Sequence, residues 1–270
     1  MTWQRILTAA ILVPLFLLLI FKSSPAVFQI VTAVVVLWAV YEWANLMGLR
    51  TYRGILLYFI IFIAATAGAL FLPMMDLLGL TIFWWLLAAV LVFSYPRGEG
   101  TWKKGYIFRG IMGVMTLVPT WILLNLIRFE SDSGTLLYLF LLIWVADSGA
   151  WFFGKFFGRH RLLPSVSPGK TWEGLVGALL LVLPLIGFAI WYGVIPQFAW
   201  PLVILFSLVT VLFSVLGDLF ESMIKRAAGV KDSGRLLPGH GGLLDRIDSL
   251  TAATPIYFLG LIALYKTLAG

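Results

Sequence analysis

The 270 residues include no cysteine and only two histidines. That excludes a disulfide framework and thiolate ligation, and it leaves the chain without the usual ligands of a structural zinc site. Any metal bound here is a hard cation held by oxygen. Charge is also scarce: 11% of residues are charged against 61% hydrophobic, and the mean hydropathy is +1.02. A soluble globule needs more polar surface than this, so the chain belongs in lipid. Internal repeats and low-complexity linkers are absent, which makes one domain the default. The net charge of +7 would suggest nucleic acid for a soluble protein. In a membrane protein, anionic lipid headgroups and phosphate substrates are the simpler partners, and nucleic acid is not expected.

Long apolar runs are what the chain does have. About 20 such residues cross the hydrocarbon core as a helix, because every backbone amide must be satisfied internally there. Nine spans are predicted: 3–21, 26–47, 54–72, 77–95, 107–127, 135–154, 172–192, 198–217 and 249–269. The segment Ser23, Ser24, Pro25, Ala26 is a poor cleavage site, so the first run is a membrane helix and not a signal peptide. The expected fold is an all-α integral membrane protein forming a single polytopic domain over 1–270, with N-terminal helices over about 1–127 and catalytic helices and loops over about 135–270. With nine spans, the N-terminus and the even-numbered loops share one face. That face receives 16 of the 19 basic residues, and only Lys22, Arg128 and Lys266 fall opposite. Basic loops are retained in the cytoplasm, so the N-terminus is expected there.

Acids at membrane depth are costly unless paired, metal-bound or hydrated. Glu42, Asp147, Glu173, Asp218, Glu221, Asp245 and Asp248 all fall near the basic face. Taken singly, each acid can be read as neutralising nearby Arg or Lys at a helix end, and that reading is preferred for Glu42, Glu221 and Asp248. As a group they point to a site. Asp218, Ser222 and Lys225 stand at i, i+4 and i+7, so they share a face if the eighth span continues as helix. Asp245 and Asp248 share a face of the ninth, with Arg246 pointing elsewhere.

Two segments carry the chemistry. The first reads ADSGAWFFGKFFGR at 146–159 and continues to SPGKTWEG at 167–174. Its Gly-Lys-Thr is not a nucleotide-binding P-loop, because Pro164 stands where that motif needs glycine and no strand is predicted before it. A helix start remains, with Ser167 or Thr171 as cap and Lys170 beside free amides, a geometry suited to phosphate. Gly154 and Gly158 are read as helix-packing positions. The second segment reads GDLFESMIKR at 217–226, KDSG at 231–234 and LPGHGGLLDRID at 237–248. Its glycines, including Gly241 and Gly242, let the backbone turn amides toward an anion. Lys225, Arg226, Lys231 and Arg246 are phosphate-binding cations. His240 is an acid/base or phosphate-ligand candidate, although a lone histidine in a turn is more often structural.

The second segment closely resembles the signature of phosphatidate cytidylyltransferases, the CDP-diacylglycerol synthases. Ser222, Lys225, Arg226, Lys231, Asp232, Pro238, His240, Gly241, Gly242, Asp245, Arg246 and Asp248 all fall at the family's spacing. The region from Asp147 to Gly174 is similar to the same family, so the specific motifs cover about a quarter of the chain. The resemblance implies that CTP and phosphatidate react to give CDP-diacylglycerol and pyrophosphate with magnesium, as one ion, two, or one with an added monovalent cation. It also implies membrane lipids and a second copy of the chain, as a homodimer, for partners, and the inner membrane of a bacterium for location. Asp218 and Asp245 are the expected metal carboxylates, with Asp147 and Asp248 next. Ser167, Lys170, Thr171, Glu173, Ser222, Asp232, Gly241 and Gly242 complete the expected substrate site. A transporter is the alternative from another class, although transport sites usually lie near the midplane between repeated halves. A CTP-dependent lipid kinase acting on a polyprenol is the alternative among enzymes.

Overall fold

The computed structural model describes residues 2–103, 105–193, 199–237, 239 and 241–269. Helices α1 (Thr2–Lys22), α2 (Pro25–Leu46), α3 (Tyr52–Ala69) and α4 (Met74–Ser94) lead through a one-turn helix, α5 (Glu99–Trp102), to α6 (Tyr106–Glu130) and α7 (Ser133–Phe157). A hairpin of β1 (Arg161–Leu163) and β2 (Ser167–Thr171) precedes α8 (Trp172–Trp191), α9 (Trp200–Ala227) and α10 (Leu244–Ala269). Among the described residues, eight helices are long and apolar enough to cross a membrane, and α1 adds a shorter apolar stretch, Ala10–Lys22. Nine long helices therefore fall on the nine predicted spans, and the protein is an all-α, multi-pass membrane protein. Their outward faces stay apolar, with Ile30, Val34, Ile60, Val90 and Phe93 all exposed.

Local chemistry sets the helix starts. Ser24, Thr51, Asp132 and Thr171 each accept a hydrogen bond from the amide three residues on, which satisfies one of the free donors of α2, α3, α7 and α8. Two boundaries differ from expectation. Helix α9 continues past Gly217 to Ala227, and α10 begins at Leu244, before the predicted Ser249. Ser222, Lys225, Arg226, Asp245, Arg246 and Asp248 of the signature are thus helical, while Lys231, Asp232, Gly241 and Gly242 lie in the loop between α9 and α10. At the hairpin the expected helix start is capped by Thr171, one of the two candidates, whereas Gly169, Lys170 and Thr171 lie in a strand of five residues and Ser167 opens that strand without capping a helix. Three-residue and five-residue strands interrupted by Pro168 and Gly169 carry too little periodicity to be read from sequence.

Apolar side chains lose no water by meeting each other in lipid, so close packing and hydrogen bonds must hold the helices together. Helices α9 and α10 pack along their length, as do α7 and α8, while α6 touches α2, α3, α4 and α10. At Gly217 the α9 and α10 backbones pass so closely that a Cβ would collide with the Asp248 carbonyl oxygen. Phe220 of α9 sits in an aromatic cage, with ring centroids 6.1 Å from Trp43, 5.6 Å from Trp84 and 5.6 Å from Trp85. Each such pair contributes about 0.5–1.5 kcal/mol beyond area burial. The cage ties the signature helix to α2 and α4.

The two ends of the bundle are chemically distinct. At one end Arg109 donates to the Leu46 carbonyl at 3.3 Å, and Arg226 donates to that of Val166 at 3.3 Å. Ser165 likewise donates to the Tyr95 carbonyl at 3.2 Å. At the other end Arg128 donates to the Ser23 carbonyl at 3.2 Å and Ser133 to that of Ile20 at 3.0 Å. Every acid singled out from the sequence lies at the first end.

Candidate active site

A cavity of about 350 Å³ opens at the charged end between α7, the hairpin, α8 and α9. Asp147, Trp151, Ser167, Gly169, Lys170, Thr171 and Asp218 line it, along with Ala150, Leu162, Gly174, Leu175 and Val215. Asp147 comes from the cytoplasm-facing half expected for α7, Lys170 from the hairpin and Asp218 from α9. The Lys170 ammonium stands 2.6 Å from Asp218 Oδ2. Ser222, one helical turn on, donates to Asp218 Oδ1 at 3.2 Å. Continuation of α9 thus makes the expected shared face real, and it makes Ser222 an orienting group for Asp218. Asp147 is within electrostatic reach of Asp218, Lys170 and Arg246.

Behind the cavity a second layer of charge is closed on itself. Lys225 lies 2.6 Å from Asp245 Oδ1 and 3.3 Å from Glu221 Oε2. Asp245 Oδ2 accepts the amides of Ser233 at 3.0 Å and Gly242 at 2.8 Å. Three of the roughly four acceptor positions on this carboxylate are therefore filled by the protein. Of the two carboxylates assigned to metal, Asp218 lines the cavity and Asp245 sits behind Lys225. The reason is positional: Asp245 is in the first turn of α10, where unpaired amides draw any anion present.

Of the loop amides expected to point at a substrate anion, that of Gly242 is taken in this way. Besides Gly242 to Asp245, the Leu243 and Leu244 amides donate to Glu42 at 3.0 and 2.8 Å. Ser233 Oγ and Trp38 Nε1 donate to the same carboxylate at 2.9 and 3.2 Å. Glu42 is 2% exposed and no ion pair is recorded for it among the described residues. The sequence reading of Glu42 as a partner for Arg or Lys is corrected: it caps α10 from α2. A Cβ on Gly242 would strike both Ser233 Oγ and the Glu42 carboxylate, so this loop closes only around glycine.

The other expected site residues fall into three groups. Thr171 is the cap of α8, accepting from the Gly174 amide at 3.1 Å. Glu173 bonds His160 Nδ1 at 2.6 Å and accepts the Arg159 amide at 3.1 Å, so it closes the base of the hairpin and does not face the cavity. Arg226 is spent on the Val166 carbonyl and, at 3.4 Å, the Val230 carbonyl. Lys231, Asp232 and Arg246 are exposed, and Gly241 adopts φ +84° while pairing with Leu237. His240 lies outside the described residues, as does Pro238. Asp248 accepts the Ser249 amide at 2.7 Å and stands beside Glu221.

Among the described residues no three acidic or histidine side chains gather as a ready-made metal site, but two carboxylates, Asp147 and Asp218, line one cavity. Asp147, Asp218, Glu221, Asp245 and Asp248 are countered at close range by Lys170 and Lys225 among the described residues. Both buried oxygens of Glu221 lack a hydrogen bond. Magnesium needs only one or two protein carboxylates, the rest of its shell being phosphate and water. Carboxylate oxygens and the Lys170 ammonium on the wall of one cavity are a setting for phosphate chemistry.

Such a fold and cavity define a polytopic membrane protein whose carboxylates gather at one end. The chain belongs to the cytidylyltransferase family, which matches it over residues 3–264, and it is thereby a nucleotidyltransferase and not a transporter. It is 40% identical over 262 residues to a phosphatidate cytidylyltransferase of Pseudomonas aeruginosa, covering 94% of each chain. It is 37% identical over 279 residues to one of Haemophilus influenzae, covering 94% of this chain and 96% of that one. A Staphylococcus aureus phosphatidate cytidylyltransferase is 36% identical over 207 residues, covering 66% of this chain and 78% of its own.

Proposed function

We propose that the protein joins CTP and phosphatidate into CDP-diacylglycerol and releases pyrophosphate. The observation that carries this reading is the 350 Å³ cavity holding Asp147, Lys170 and Asp218 at the charged end of a bundle with near full-length relatives of that activity. A lipid phosphate oxygen attacks the α-phosphorus of CTP, and the bond to the β-phosphate breaks. Phosphate monoesters have a second pKa of roughly 6 and are largely ionised at neutral pH, so no strong base is required. Charge repulsion is the obstacle.

Lys170 is placed to meet a phosphate oxygen within the cavity, and Asp218 with Asp147 would hold magnesium there; Asp245 would join only if Lys225 moved. Bound magnesium supplies charge neutralisation on the phosphates. Trp151, 63% exposed on the cavity wall, would meet the acyl chains, which remain in the bilayer while the headgroup enters. The basic-residue asymmetry supports a cytoplasmic N-terminus and cavity, which gives CTP access. The homodimer and the bacterial inner membrane follow from the resemblance to relatives.

The test is a purified, nanodisc-held protein supplied with labelled CTP and magnesium, offered phosphatidate, diacylglycerol or a polyprenol. CDP-lipid and pyrophosphate formed only with phosphatidate are expected. Phosphorylation of either alcohol, with CDP released, would replace this reading with a lipid kinase.

A further inference from the structure

Two lysines pair with carboxylates at this site, and their settings differ. Lys225 has a side chain only 10% exposed and is clamped between Asp245 and Glu221. Lys170 pairs with one carboxylate, Asp218, and both side chains keep access to the cavity at 24% and 30% exposure. Its other contact is the Val215 carbonyl at the long distance of 3.5 Å. The strand bearing Lys170 is itself fixed. Thr171 caps α8, Glu173 holds the Arg159 and His160 amides, and Ser165 and Arg226 tie down the turn. A rigid backbone therefore carries a long, flexible cation whose single strong partner is the carboxylate best placed to receive a metal.

We propose that Lys170 is an exchangeable counter-ion: without substrate its ammonium holds the place on Asp218 that a divalent cation takes, and on loading it transfers to a nucleotide phosphate oxygen. This rests on the reading of the cavity as a CTP site. The physical reason is charge. A divalent cation arriving at Asp218 repels the ammonium 2.6 Å from Oδ2, and an ammonium on a four-carbon stem can swing while staying in the same cavity. The incoming triphosphate offers it a more highly charged acceptor. Asp218 is thus never left uncompensated, and the lysine reaches phosphate only once metal is present, which couples the order of binding.

Mn²⁺ binding to the nanodisc-held protein, followed by electron paramagnetic resonance without nucleotide, measures the competition directly. Lys170→Met is expected to bind Mn²⁺ roughly two- to fivefold more tightly, the equivalent of losing one partly exposed ion-pair competitor, while its KM for CTP rises. Asp218→Asn should weaken Mn²⁺ in either background. Unchanged or weaker Mn²⁺ binding by Lys170→Met overturns the proposal, and so does tighter binding with an unaltered KM. Should that variant fail to fold, ¹⁵Nζ-lysine resonances of the wild type decide, with the Lys170 signal assigned by its loss in Lys170→Arg. That signal must shift on adding Mg²⁺ alone and again with a non-hydrolysable CTP analogue; a signal indifferent to Mg²⁺ refutes exchange. The Mn²⁺ arm needs no nucleotide, so it stays readable even if CDP-lipid formation fails.

Discussion

Helices α1 to α6 and the segment from α7 to α10 meet at the same charged surface but bring different things to it. From the second segment come Asp147, Lys170, Asp218, Ser222, Lys225, Asp245 and Asp248; short polar contacts join Lys170 and Ser222 to Asp218 and Lys225 to Asp245, and Asp147 and Asp248 stand within electrostatic reach of Asp218. The first segment adds one buried carboxylate, Glu42, and an aromatic cage around Phe220. The candidate site residues are thus concentrated in one half, while the other half holds the start of α10 in place. A carboxylate can serve chemistry without facing substrate when the amides it accepts belong to the helix that carries the site.

The comparison is broken most forcefully at Asp218. Asp218→Asn keeps the shape but removes the charge that Lys170 and a cation would share, and turnover is expected to fall by about a thousandfold, some 4 kcal/mol of barrier. Phosphatidate-dependent CDP-lipid formation checks this, with near wild-type rates placing the chemistry elsewhere. The next effect falls in the other half. In Glu42→Gln an amide NH₂ replaces an oxygen that accepts two hydrogen bonds, from Ser233 and Leu244 or from Trp38 and Leu243 depending on its orientation. Either way a buried backbone donor is left unpaired, at a cost of about 1–3 kcal/mol. Thermal stability and turnover should drop together, although Glu42 is not among the residues lining the cavity. A melting temperature equal to wild type would mean that α10 is held by something else.

Most of the architecture was legible because lipid leaves few solutions. Apolar length marked the helices, Lys and Arg marked the shared face, and the spacing of Asp218, Ser222 and Lys225 gave a common face on the condition that the helix continued beyond the apolar run, as α9 does. What escaped was long in range or lacking in residue-type signature. Glu42 meets partners 191 to 202 positions away, and two of them are backbone amides, which any residue supplies. One signal was present: no Ser, Thr, Asp or Asn stands at 241–243 to cap the helix that follows, so an acceptor had to come from elsewhere. The role of Asp245 was not legible for a related reason, since its spacing fits a metal ligand and a helix-start acceptor equally. The pairing of Glu173 with His160 was hidden because it closes a hairpin too short to show periodicity.

Glycine sharpens the same contrast at smaller scale. Gly217→Ala inserts a Cβ against the Asp248 carbonyl and 3.2 Å from the Ala252 methyl, so α9 and α10 must separate where Asp218 and Asp248 are positioned. Overpacking of this kind costs about 1–3 kcal/mol, more than the helix propensity gained, and both melting temperature and CDP-lipid formation should fall. Gly187→Ala makes the same change on α8, where nothing lies within 4 Å of the added carbon. Propensity alone then acts, a gain of up to about 1 kcal/mol in water and less in lipid, so stability should hold or rise slightly with turnover unchanged. Measuring both variants in nanodiscs separates packing from propensity, because the substitution is identical and only the neighbour differs. A Gly187→Ala protein as damaged as Gly217→Ala would show that this outward face of α8 is covered in the assembled protein, which is what an interface with a second copy there would produce.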